Sequence, residues 1–225
     1  MHCGGAIAQL MEVESASELI DLVAGLESFH ILGGGTNTIF PDHMTTTPVI
    51  KLGPAFDYVR LEGDRVYAGA AGALQAVLMF CRDAGLAGIE FLTGIPGTLG
   101  GALWMNAGTG DKGIMDVVET IDLVDAQGQH TIERARIHAG YRSADIPPRT
   151  VITGVCLHLR PGDKTAIAAH ISRYQERRRA QPKGYSSGCI FKNPPGTSAG
   201  LLIDQAGLKG ARIGEAYVSE THANF

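Results

Sequence analysis

Gly94-Ile95-Pro96-Gly97-Thr98-Leu99-Gly100-Gly101-Ala102-Leu103-Trp104-Met105-Asn106-Ala107-Gly108 places five glycines in fifteen residues. Pro96 fixes φ, the glycines at 97, 100 and 101 remove side-chain bulk, and Asn106 supplies an amide, which suits a loop where backbone approaches something closely. Downstream, residues 117–124 and 151–159 read as β-strands with a turn at Gly128 between them. Upstream, Leu74, Val77, Leu78 and Cys81 stand at i, i+3, i+4 and i+7, the stripe of an amphipathic helix closed by Gly85, so Cys81 is expected in the core. Before it, residues 58–61 and 65–68 flank the turn Glu62-Gly63-Asp64 and predict a hairpin.

Nearer the N-terminus, Ser15 and Glu18 form a capping box for a helix reaching about Ala24, ended by Gly25. The apolar run 29–32 then predicts a strand entering another glycine loop, Gly33-Gly34-Gly35-Thr36-Asn37. A Rossmann fingerprint would need a third glycine at Thr38 and a helix where Ile39-Phe40-Pro41 follows, so that reading is weak. On any scaffold, however, such a loop turns several backbone N–H groups toward one point and binds phosphate without a charged side chain. A pyrophosphate cofactor held between two glycine loops would account for both; tight turns of a sheet-rich domain would account for them equally well. After Pro161-Gly162, Asp163 is placed to cap a helix bearing Ile167, Ile171 and Tyr174 on one face, ending before Pro182. The rest reads as a small separate α/β unit with a polar glycine loop at 186–200 and a short helix capped by Ser198.

The 225 residues are enough for one large domain or two small ones, and 44% hydrophobic against 19% charged residues describes a folded globular chain. Glycine, 30 residues, stands at roughly twice the ~7% background. No apolar run reaches the ~18 residues of a membrane span, and no secretory signal opens the chain, so a cytoplasmic protein is expected. A net charge of −4 gives no field for a polyanion, and the cluster Arg177-Arg178-Arg179 with Lys183 is local, so nucleic-acid binding is not expected. Four cysteines without a CxxC pair, and histidines without i, i+4 partners, argue against a metal site.

Two side chains carry chemistry of their own. Arg142, in Tyr141-Arg142-Ser143, offers a fixed bidentate fork suited to a carboxylate or a developing enolate, although most arginines are simply solvated. Cys189 lies among flexible, polar, cationic neighbours in Ser187-Gly188-Cys189-Ile190-Phe191-Lys192-Asn193-Pro194, where a thiol can serve as acid or nucleophile; a buried inert cysteine would fit the same residues.

The two glycine loops, Met105-Asn106-Ala107-Gly108, the arginine tripeptide, the Cys189 stretch, and Ser219 through His222-Ala223-Asn224-Phe225 occur in one order across nearly the whole chain. In this they closely resemble the UDP-N-acetylenolpyruvoylglucosamine reductases (MurB), and the interval from Arg142 to Cys189 is similar to that of the shorter subgroup. The resemblance implies an α+β and α/β chain: a two-part FAD-binding module of the vanillyl-alcohol-oxidase/PCMH type at 1–53 and 54–161, then a small substrate domain at 162–225. It implies an oxidoreductase of peptidoglycan synthesis in which NADPH reduces FAD, and the flavin passes hydride to the enolpyruvyl group of UDP-N-acetylglucosamine enolpyruvate, giving UDP-N-acetylmuramate. FAD then falls to Gly33, Gly34, Gly35, Thr36, Asn37, Gly94, Ile95, Pro96, Gly97, Thr98, Gly100, Gly101, Asn106, Ala107 and Gly108. Arg142 meets the substrate carboxylate, and Cys189 supplies the proton where many members carry serine. Tyr141, Lys192, Asn193 and Lys209 are expected at the substrate, the last three near its diphosphate. A bacterial cytoplasmic monomer is expected, without metal, membrane or nucleic-acid partners.

The family pattern also has a short segment before the point matching Met1, and it continues past the point matching Phe225 to a glutamate that assists protonation. A fragment or truncated product is therefore expected, with no residue here in that role. The alternatives are a flavin- or nucleotide-binding remnant, or another oxidoreductase on the same FAD module.

Overall fold

The computed structural model describes residues 3–182, 184–186 and 188–225; Lys183 of the cationic cluster and Ser187 of the Cys189 stretch lie outside the described residues. Residues 3–175 form one compact unit, and Glu176–Phe225 belong to another.

The first unit opens with β1 (Leu10–Val13), α1 (Ala16–Gly25), β2 (His30–Ile31) and β3 (Val49–Leu52). The strands form a parallel sheet in the order β1-β3-β2, in which α1 carries the chain from β1 to the far edge strand β2 and residues 32–48 return it to the central strand β3. Ser15 caps α1, its Oγ accepting from the Glu18 N–H at 3.2 Å. The reciprocal contact of a capping box falls one residue early: Glu18 Oε2 accepts from the N–H of Glu14. Val13, Leu19, Val23 and Ile50 then share a core with Phe56, Val124 and Val151, which joins this small sheet to the next layer.

That layer contains β4 (Val59–Glu62), β5 (Arg65–Gly69), α2 (Leu74–Ala84), β6 (Leu86–Ala87) and α3 (Leu99–Trp104). It continues through β7 (Val118–Asp125), β8 (Gly128–Glu133), β9 (Ala139–Gly140), β10 (Ser143–Ala144), β11 (Val151–His158), β12 (Arg160–Pro161) and α4 (Lys164–Arg179). Five strands pair antiparallel in the order β4-β5-β11-β7-β8. The expected hairpin is β4–β5, closing at Glu62 opposite Arg65 with Gly63 at φ 65°. The period-2 alternation puts Val66 and Ala68 inside, while Arg65 and Tyr67 lie on the other face.

The α2 stripe is buried as its spacing predicts, and Gly85 ends the helix in the left-handed conformation at φ 71°. Leu74, Leu78, Leu99 and Leu103 pack with Ile121, Leu123, Val155 and Leu157 in the main core. Asp163 caps α4 by accepting from the Ala166 N–H at 2.8 Å, and Ile167 and Ile171 are buried in this same core.

The second unit contains α5 (Ala199–Gln205), capped by Ser198, whose Oγ accepts from Leu201 N–H, and a hairpin of β13 (Arg212–Ile213) and β14 (Ala216–Tyr217). Among the described residues no helix is long and apolar enough to cross a membrane.

Candidate active site

In the first unit the two glycine loops meet. Thr36 Oγ1 donates to the Pro96 carbonyl at 3.4 Å. A Cβ added to Gly34 would sit 3.1 Å from Gly97 Cα, one on Gly33 would sit 2.6 Å from Thr98 Oγ1, and one on Gly97 would sit 2.7 Å from Thr36 Oγ1. Loop pressing on loop thus crowds the Cβ position at 33, 34 and 97. Gly100 is crowded by Ala70, whose Cβ an added methyl would approach to 3.0 Å, and Gly108 is required by the backbone of Lys112. Gly35 faces open space, and a Cβ on exposed Gly101 would meet only Thr98 Oγ1, at 3.5 Å.

Among the described residues, none accepts a hydrogen bond from the backbone N–H groups of Gly33, Gly34, Gly35, Thr36, Asn37, Gly97 or Thr98. A run of unpaired donors on two touching loops is a ready anion site, because each N–H must find an acceptor. The donor set fits the pyrophosphate of a dinucleotide such as FAD.

The second loop is held from α2. Leu74 N–H donates to Gly97 O, and the Gln75 side chain bonds Leu92 O, Ile95 O and Gly94 N–H. At the level of sequence Gln75 carries no signal, since a polar residue between Leu74 and Val77 looks like the solvated side of a helix.

Arg142 is tied to the same loop. It sits at the tip of the β9–β10 turn at φ 55°, a conformation that disfavours side chains other than glycine and asparagine. Its Nη2 donates to Gly108 O at 2.6 Å, and its guanidinium lies 5.2 Å from the Tyr141 ring centre. Asn106, itself at φ 41°, braces the turn: its Nδ2 donates to Gly140 O at 2.9 Å while its Oδ1 accepts from Met115 N–H at 3.1 Å. The expected amide of the loop therefore works on the protein's own backbone.

In the second unit Cys189, Lys192 and Asn193 are exposed on one loop. Asn224, buried at 4% exposure, fastens that loop: its Oδ1 accepts from Phe191 N–H, its Nδ2 donates to Phe191 O, and its carbonyl accepts from Ile190 N–H. Asn224 belongs to the quoted C-terminal motif, but only the fold reveals its task. Asn193 Oδ1 accepts from Ala199 N–H at the start of α5, and Lys209 pairs with Asp204 at 2.7 Å. Cys3 is exposed as well, whereas Cys81 and Cys156 are buried. Burial pushes Cys81 up to about 12, and burial, then the Glu119 carboxylate, raises Cys156.

Residues 7–134 match the FAD binding domain family, and residues 181–225 match the family "UDP-N-acetylenolpyruvoylglucosamine reductase, C-terminal domain". The UDP-N-acetylenolpyruvoylglucosamine reductase of Thermus thermophilus is 37% identical over 98% of this chain and 82% of its own length. The chain belongs to the UDP-N-acetylenolpyruvoylglucosamine reductase (MurB) family. The Geobacter metallireducens reductase is 39% identical over the whole of this chain and 77% of its own length. The crystal structure of the Thermus caldophilus MurB superposes with a TM-score of 0.89 at 38% identity, covering 96% of this chain and 79% of that one.

This MurB-family chain is thus a flavoprotein oxidoreductase, and both glycine loops fall within its FAD binding domain match. A Cu,Mo-CO dehydrogenase chain shares the fold alone, with a TM-score of 0.55 at 18% identity over 70% of this chain and 61% of its own. The two-part FAD-binding architecture expected from the resemblance is borne out.

Proposed function

We propose that this chain reduces the enolpyruvyl group of UDP-N-acetylglucosamine enolpyruvate to UDP-N-acetylmuramate with electrons from NADPH, as a monomer in the bacterial cytoplasm, serving cell shape and division. Residues 1–53 and 54–161 are the two halves of the FAD module, and 162–225 bind substrate. The observation that carries this reading is the contact of two glycine loops, rich in unpaired N–H donors, with Arg142 anchored on one of them.

FAD, when bound, carries two electrons from NADPH to the substrate as hydride. Residues 33–37, 94–98, 100–101 and 106–108 would hold it, with the N–H groups of residues 33–37, 97 and 98 meeting its pyrophosphate. Hydride must add to the terminal CH2 carbon, because only then does the negative charge fall on the carbon beside the carboxylate and delocalise as an enolate. Arg142 binds that carboxylate with a fork that cannot lose its proton, and its attraction strengthens as the enolate forms. Cys189 gives its proton from Sγ to the enolate carbon; a C–H bond forms, the S–H bond breaks, and solvent reprotonates the thiolate. Tyr141 lines the substrate beside Arg142, and Lys192, Asn193 and Lys209 hold the UDP diphosphate.

The discriminating experiment is Cys189→Ser beside Cys189→Ala. Serine retains a proton to give and keeps substantial turnover. Alanine slows flavin reoxidation by substrate by about 10²–10⁴-fold while reduction by NADPH stays near normal. Alanine reoxidising at the wild-type rate would remove Cys189 from the chemistry.

A further inference from the structure

We propose that Gln75 is a positioning residue for FAD, setting the shape of the Gly94–Gly97 loop from the first turn of α2. Its planar amide makes three bonds: Nε2 donates to Leu92 O at 2.9 Å and Ile95 O at 3.0 Å, and Oε1 accepts from Gly94 N–H at 2.9 Å. The three bonds straddle Gly94, which turns at φ 72°. One residue earlier, Leu74 N–H donates to Gly97 O at 3.0 Å, so α2 grips the loop on both sides of Pro96.

What this grip fixes is the pair of residues that touch the other loop. Pro96 accepts from Thr36, and Gly97 lies against Gly34. The N–H groups of Gly97 and Thr98, which find no acceptor among the described residues, follow directly. Gln75 therefore aims donors it never touches. An apolar side chain at 75 would leave Ile95 O and Gly94 N–H without this partner and Leu92 O with the Ile95 N–H alone, and a carboxylate would face the carbonyls of Leu92 and Ile95 with no hydrogen to give. α2 itself keeps its buried stripe of Leu74, Val77, Leu78 and Cys81.

The proposal rests on the reading of these loops as the FAD site, and its test separates the two. FAD titrations of the wild-type chain, Gln75→Met and Gln75→Glu are compared with the unfolding midpoints of the FAD-free proteins. Measured well below every midpoint, both variants should bind FAD about tenfold or more weakly, with a changed visible circular dichroism of bound flavin at saturation. Wild-type affinity in both variants, or a lowered midpoint with unchanged affinity, would overturn the role of Gln75 alone. A wild-type chain that takes up no FAD would overturn the FAD site and this proposal together.

Amide hydrogen exchange in the FAD-free wild type needs no variant. Gly94 N–H, held by Gln75, should be protected, while Gly97 and Thr98 gain protection only when FAD is added. Gly94 exchanging as fast as residues 33–37 without FAD would also overturn the proposal.

Discussion

Thr36 Oγ1 and the Pro96 carbonyl meet at 3.4 Å across 60 residues of chain. Around this contact the glycines divide by cause. Gly33, Gly34, Gly97 and Gly100 are pressed by protein atoms, whereas Gly35 and Gly101 leave their Cβ directions open or nearly so. Valine at the two adjacent positions of α3 should therefore act differently. Gly100→Val must displace Ala70 and should cost about 1–3 kcal/mol of stability in urea unfolding of the FAD-free chain. Gly101→Val should leave the unfolding midpoint nearly unchanged and weaken FAD binding by about tenfold or more. Equal loss of stability in both would assign Gly101 to packing.

Arg142→Lys keeps the charge but removes the planar fork and its bond to Gly108 O. Flavin reoxidation by substrate should slow by about 10²-fold or more, with FAD affinity within about threefold of wild type. Parallel loss of both, read from anaerobic stopped-flow traces and FAD titration, would make Arg142 a scaffold for the loop.

Much of this was legible locally. The α2 stripe, the Gly85 stop, the β4–β5 hairpin and the caps at Ser15, Asp163 and Ser198 each depend on residues within one or two turns of each other, so spacing alone reveals them. The order β1-β3-β2 and the meeting of the two glycine loops depend on partners far apart in sequence, which periodicity does not encode. Gln75 and Asn224 were missed as actors for the same reason: their amides bind backbone 17 to 20 and 33 residues away, and backbone acceptors leave no mark in side-chain composition. The glycine excess suits a cofactor site and tight turns equally from sequence; at 33, 34, 97, 100 and 108 the first claim on the space comes from the protein itself.

Acid stability should carry the signature of one pair on the five-stranded sheet. Arg65 Nε lies 2.7 Å from Glu119 Oε2, and this contact holds the Glu119 carboxyl below its usual 4.5. A carboxyl depressed on folding stabilises above its unfolded pKa, and that stability is lost as pH falls through the lower folded value. Melting temperature should thus drop as pH falls below about 4.5, and Glu119→Gln should flatten that acid limb while matching wild type in shape above it. Identical acid limbs in the two proteins would show that the pair contributes nothing to folding.

The most direct test of the whole account is anaerobic mixing of the FAD-loaded wild-type chain, first with NADPH and then with UDP-N-acetylglucosamine enolpyruvate. The oxidised flavin band should bleach on the first addition and return on the second, with UDP-N-acetylmuramate formed in proportion to the flavin reoxidised. A band that bleaches and stays bleached when the enolpyruvyl substrate arrives would contradict the assignment of Arg142 and Cys189 to its reduction.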